Sequence, residues 1–179
     1  MDSTVDSLKY VDETDKSFGL AGMAISLIAW DAREWLEAID LDAAPDEAMR
    51  MSADFYFTTA PRVGAKAVWE QALTRFRLTA AMTVANVACR EMAHHGHGQL
   101  PVKTDSALRE VLTEEGANLC GLDDDEVSRI YGKALAYCGR LFSHPGVKRL
   151  AESCSNALRD KRSMSSAEIF EILAPLTQM

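Results

Sequence analysis

Along most of this chain the apolar residues return every three or four positions, the interval that gathers them on one side of an α-helix. Over residues 18–39, Leu20, Ala24, Leu27, Ile28 and Trp35 keep that spacing and predict a first helix. The longest pattern starts just after Pro61. There Trp69, Leu73, Phe76, Ala80, Val84 and Val87 form one stripe, and Leu78, Met82, Ala85, Cys89 and Met92 form another on a different side. A helix that is apolar on two sides lies between layers. Residues about 62–94 are therefore expected to be the central helix of the fold, with Gly96 as its stop.

Punctuation marks the remaining elements. Pro45 followed by Asp46 and Glu47 predicts a helix start, because proline suits the first turn and acids complement the helix dipole. Thr104 as N-cap and Gly121 as stop bracket another helix. Asp123 with Glu126 is an acidic capping box, ahead of a helix carrying Val127, Ile130, Tyr131, Ala134, Leu135, Cys138, Leu141 and Phe142 on one face. Pro145 opens a helix with a narrow stripe of Val147, Leu150, Ala151, Cys154 and Leu158. Ser165 with Glu168 is a second capping box and starts a short last helix limited by Pro175.

Two stretches depart from this rhythm. In residues 49–59 the alternation of Phe55 and Phe57 permits a short strand. No partner strand is evident, so a helix or an aromatic plug at a helix end is expected there. Residues 1–16 are polar, acidic and aperiodic, which predicts a flexible N-terminal arm. The fold class expected is all-α. It is a single-domain bundle of six or seven helices around a long central helix (about 62–94), with an arm at 1–16 and one helical domain at 17–179.

Composition narrows the function classes. A chain of 179 residues suits one domain with a sizeable core. The net charge of −8 argues against a binder of nucleic acid or anionic membrane that relies on overall positive potential. The four cysteines are widely spaced and predict reduced, mostly buried thiols in a cytoplasmic protein. The apolar run 18–30 is shorter than the roughly 20 residues a membrane span needs, and acids rather than bases precede it.

Candidate chemistry concentrates in His94-His95-Gly96-His97-Gly98, which holds three of the four histidines. Glu91 and His94 make the E-x-x-H spacing of di-iron bundles, but the chain has no second such pair. A zinc site built from His94 or His95, His97 and a carboxylate or Cys89 matches no defined motif. The simpler account is helix termination, since histidines in a last turn meet the dipole and the free carbonyls. Asp31 falls on the first apolar stripe, where a carboxylate needs a partner such as Arg75 or Arg77, or a place beside Glu91 and His94.

Charge is segregated along the C-terminal half. Acids dominate residues 103–126 and bases dominate 140–162, which reads as two solvated faces or as complementary surfaces of an oligomer. Phe55, Tyr56 and Phe57, with Met49 and Met51, read as core packing or as a pocket lining. No nucleophile elbow, phosphate loop, dinucleotide fingerprint or kinase motif occurs, and Gly19-Leu20-Ala21-Gly22 is too isolated to count as one.

The functional expectation is a cytoplasmic helical binding or assembly protein, self-associating as a homodimer or engaging another protein. The alternative is a metal-binding protein or metal-dependent enzyme with zinc or iron held by Glu91, His94, His95 and His97, together with Asp31. A nucleic-acid-associated regulator using residues 148–162 ranks third, against the acidic total.

Overall fold

The structure is a computed structural model and describes residues 4–56 and 64–179. Phe57 and Pro61 lie outside the described residues. The elements in chain order are α1 (Glu13–Ala29), β1 (Leu36–Asp40), β2 (Met49–Met51), α2 (Ala53–Tyr56), α3 (Ala65–His95), α4 (Val102–Cys120), α5 (Asp124–Leu141), α6 (Pro145–Lys161), β3 (Ser163–Ser165) and α7 (Ser166–Leu173). Short 3-10 turns at Thr4–Leu8, Arg33–Trp35 and Ala174–Gln178 complete the chain.

The helical architecture follows the predicted pattern. α3 is the central helix, buried on several sides by Phe76, Leu78, Ala81, Val84, Ala85, Ala88 and Met92. It packs against α1, α4, α5 and α6. Gly96 ends it in the left-handed region at φ 79°, with its N–H donating to the Met92 carbonyl. Both capping boxes form: Asp123 with Glu126 opens α5, and Ser165 with Glu168 opens α7. No helix among the described residues is long and apolar enough to cross a membrane.

The closest helix contact is α1 on α3. A Cβ placed on Gly22 would sit 2.5 Å from both the Ala85 carbonyl oxygen and the Cys89 Cβ. Gly22 thus lets two backbones approach where a larger residue would hold them apart, while Gly19 makes room for the Asn86 and Tyr10 side chains.

Several boundaries differ from the sequence reading: α4 starts at Val102 with Pro101 at its N-cap, so Thr104 lies inside the helix rather than capping it. The first helix ends at Ala29 rather than continuing to Ile39, because Asp31 turns the chain through the left-handed region at φ 52°. Residues Leu36–Asp40 then run as a strand, paired antiparallel to β2 on one side and to β3 on the other. Ile39 lies opposite both Met49 and Met164, and all three side chains are buried. The partners of β1 lie on its two sides at different sequence distances, β2 close by and β3 over a hundred residues later. A five-residue strand with such partners leaves little local signal.

The segment 41–48 is also corrected. Pro45 does not start a helix; it sits in the connection between β1 and β2, where the Glu47 N–H donates to the Ala44 carbonyl. After β2, Ala53–Tyr56 forms one helical turn, so the stretch around Phe55 is part strand and part helix.

The polar N-terminal residues are held against the bundle rather than trailing from it. Asp12 caps α1 by accepting the Asp15 N–H at 2.8 Å, and the turn Thr4–Leu8 packs on α4. Lys16 reaches the carbonyls of Leu41 and Ala43 at 2.7 and 2.6 Å, tying the β1–β2 connection to α1.

Candidate functional site

The residues singled out by sequence separate in space. Asp31 is exposed at the C-terminal end of α1, while His94 meets α1 at its opposite end through Asp15. The helix rise of 1.5 Å per residue puts roughly 20 Å or more between them. Arg75 does not reach Asp31; its guanidinium donates to the carbonyls of Asp54 and Tyr56 at 3.2 Å each. His95 pairs with Glu91 one turn earlier at 3.6 Å, and its ring stacks beside that of His97 with centroids 6.1 Å apart. Among the described residues, no three His, Cys, Asp or Glu side chains are grouped to hold a metal ion. The set Glu91, His94, His95, His97 and Asp31 is therefore not brought together as a zinc or iron site.

The thiols are equally removed from chemistry at the surface. Cys89, Cys120, Cys138 and Cys154 are free and buried. Desolvation pushes the Cys138 and Cys154 thiols up to about 12 and raises Cys89 well above its ordinary value. A buried thiol of that kind is neither a ready nucleophile nor a ready ligand.

What His94 does instead belongs to a cluster around Asp15, which is 1% exposed. Arg90 grips that carboxylate with two nitrogens, Nε to Oδ1 at 2.8 Å and Nη2 to Oδ2 at 2.6 Å. His94 Nε2 lies 3.0 Å from Oδ1, and the Val11 N–H donates to Oδ2 at 2.9 Å. Arg90 also donates to the carbonyls of Leu8 and Lys9 at 3.1 and 2.8 Å, and its guanidinium lies over the Tyr10 ring at 5.0 Å. Asn86 completes the set by donating to the Tyr10 hydroxyl at 2.7 Å. Burial alone raises the Asp15 pKa, but the hydrogen bonds from Arg90, Val11 and His94 outweigh it and hold the group below its ordinary value.

Asn86, Arg90 and His94 stand four residues apart on α3, a polar line in its buried C-terminal half. That line is the signal in the sequence that points to a buried partner, and Asp15 is its target. The cluster fixes residues 8–11 against the central helix.

Fixing that segment shapes a groove. A cavity of about 720 Å³ lies between β2, α2, α3 and α4, and includes Met23, Met49, Met51, Phe55, Phe76, Met82 and Leu119 in its lining. A second, of about 500 Å³, is walled by Leu8, Lys9 and Tyr10 of the N-terminal segment, with Val87 and Leu108. The two cavities adjoin, with Met23 and Pro45 lining both. Together their floor on α3 is Ala72, Arg75, Phe76, Thr79, Met82, Thr83, Asn86 and Val87, a helical stretch of about 22 Å.

At the groove's outer end the apolar lining continues into the open. Leu119 is 65% exposed and Tyr56 55%, and Val68 and Trp69 at the start of α3 are exposed as well. The Trp69 indole N–H donates to the Cys120 carbonyl at 3.2 Å, which places that ring against the end of α4. Charged side chains of both signs line the groove, Asp46 and Glu115 against Arg75 and Lys9, and Glu47, Asp54 and Glu114 adjoin it in sequence.

The basic stretch 140–162 is spent largely on internal ties. Arg162 pairs with Glu13 at 2.7 Å and with Asp42, and Lys161 pairs with Glu168 at 2.8 Å. Arg140 lies over the Tyr137 ring at 5.9 Å. No protein-family model, no curated protein and no solved structure matches this chain.

Proposed function

We propose that this chain is a binding protein that receives a basic amphipathic helix of a partner polypeptide in the methionine-lined groove. The observation that carries the reading is the groove itself: a 720 Å³ cavity with four methionines in its lining, opening onto exposed Tyr56 and Leu119. Unbranched, polarizable methionine side chains repack around varied apolar partners, which suits helix-in-groove recognition. A floor about 22 Å long matches four turns of helix. The chain's −8 charge favours a cationic partner and speeds its approach.

Four free thiols fit a reducing compartment, and we place the protein in the cytoplasm on that ground. A second reading is self-association through the exposed part of the lining, favoured by the exposure of the apolar Tyr56 and Leu119. A homodimer formed there covers the patch and competes with the peptide.

The test uses defined peptides. A Leu/Lys peptide of four helical turns, titrated into the full chain, binds with a micromolar dissociation constant, and its Leu/Glu counterpart binds at least tenfold more weakly. Leu119→Asp and Tyr56→Asp, both at exposed positions, weaken the Leu/Lys peptide tenfold or more without lowering the melting temperature. Equal binding of both peptides, or no effect of either variant, overturns the proposal. Sedimentation of the wild type and Leu119→Asp decides whether a second copy uses the patch.

A further inference from the structure

On another side of α3 the chain builds a pocket of different chemistry. Trp69, Leu73 and Arg77, each four residues apart, line it from α3. Arg129, Ile130, Lys133 and Ala134 line it from α5, and Trp30, at the end of α1, contributes a second indole. The volume is about 320 Å³, the lower end of the range for small-molecule sites.

Three cations converge here on a protein of net charge −8. Among the described residues, no carboxylate pairs with Arg77 or Lys133. Arg129 uses its Nε to donate to the Asp125 carbonyl at 3.3 Å. The single acid in the lining, Glu126, is engaged elsewhere: its carboxylate accepts the Asp123 N–H at 3.0 Å in the capping box of α5. Three cations against one carboxylate leave the lining net positive, and a bound anion relieves the remaining repulsion.

The two indoles supply what the cations lack, an apolar aromatic surface on which a flat ring packs. Guanidinium groups match phosphate oxygens in pairs, and the lysine adds a point charge. We propose that this pocket binds a mononucleotide, its base against Trp30 and Trp69 and its phosphate held by Arg77, Arg129 and Lys133. The volume admits one nucleotide rather than a dinucleotide. The pocket shares no lining residue with either cavity of the groove.

Tryptophan emission of the full chain reads this directly. AMP quenches it saturably, with adenosine and inorganic phosphate each at least tenfold weaker, since each carries only half of the recognised chemistry. Raising the ionic strength weakens AMP and leaves adenosine unchanged. The double variant R77Q/K133Q, made at two exposed positions, keeps the wild-type melting temperature and raises the AMP dissociation constant tenfold or more. Absence of an AMP-dependent change overturns the proposal. So does equal binding of AMP and adenosine, phosphate binding as tightly as AMP, or unaltered affinity in the double variant.

Discussion

Arg90 and Asp15, 75 residues apart in sequence, meet as a two-point ion pair with both side chains buried, the arginine 8% and the aspartate 1% exposed. Charges withdrawn from water need a partner of good geometry, and here each has one. Through Nη1 and Nη2 Arg90 also holds the carbonyls of Leu8 and Lys9, and thus one wall of the groove.

Arg90→Met removes one partner and leaves a buried, uncompensated carboxylate. Breaking such a pair costs about 3–5 kcal/mol. Urea denaturation should show a loss of that order, and the double variant Asp15→Asn with Arg90→Met should recover part of it. A loss under 1 kcal/mol would show that the pair contributes little.

Asp15 also sets an acid dependence. Its pKa in the folded chain lies below the unfolded value of about 3.9. The stabilisation is thus complete above that unfolded value and is lost as pH falls through the lower folded one. Unfolding midpoints measured between pH 2 and pH 7 should fall along this acid limb. Asp15→Asn should be less stable than the wild type at pH 7 and should narrow that gap toward pH 2.

Glycines at two helix positions should respond in opposite directions. Gly22→Ala forces α1 away from Ala85 and Cys89, and overpacking of this kind costs about 1–3 kcal/mol. Gly132 in α5 has nothing within 4 Å of an added Cβ. Gly132→Ala should therefore stabilise by about 0.4–1 kcal/mol through the unfolded chain and the helix propensity. Thermal melts of the two variants, moving down and up respectively, check the packing of α1 on α3.

How much of this was legible in the sequence varies by element. α3, α5 and α7 were readable because their signals are local: a long periodic stripe, and two capping boxes that form as written. The sheet was not, since β1 is short and half of its pairing comes from residues 163–165. Asp31 was misplaced for a related reason: helical spacing persists past Ala29, but the left-handed turn at Asp31 cuts it.

The candidate site was legible only in halves. His94 was noticed as chemistry and Met49, Met51 and Phe55 as a possible lining. Asp15 was hidden in a polar segment whose burial depends on Arg90 reaching it across the fold. Long-range polar pairing leaves no periodic trace, and only the line Asn86, Arg90 and His94 on α3 hinted at it.

The groove claim is tested most directly on its own methionines. With ¹³C-labelled methionine methyl groups, titration of the Leu/Lys peptide should shift Met23, Met49, Met51 and Met82, which line the groove. Met164, buried beside β1, and Met179, packed on Gly146, should stay in place. That pattern, reaching saturation at stoichiometric peptide, is the result the account predicts. Shifts confined to Met164 and Met179, or none at saturating peptide, would contradict it.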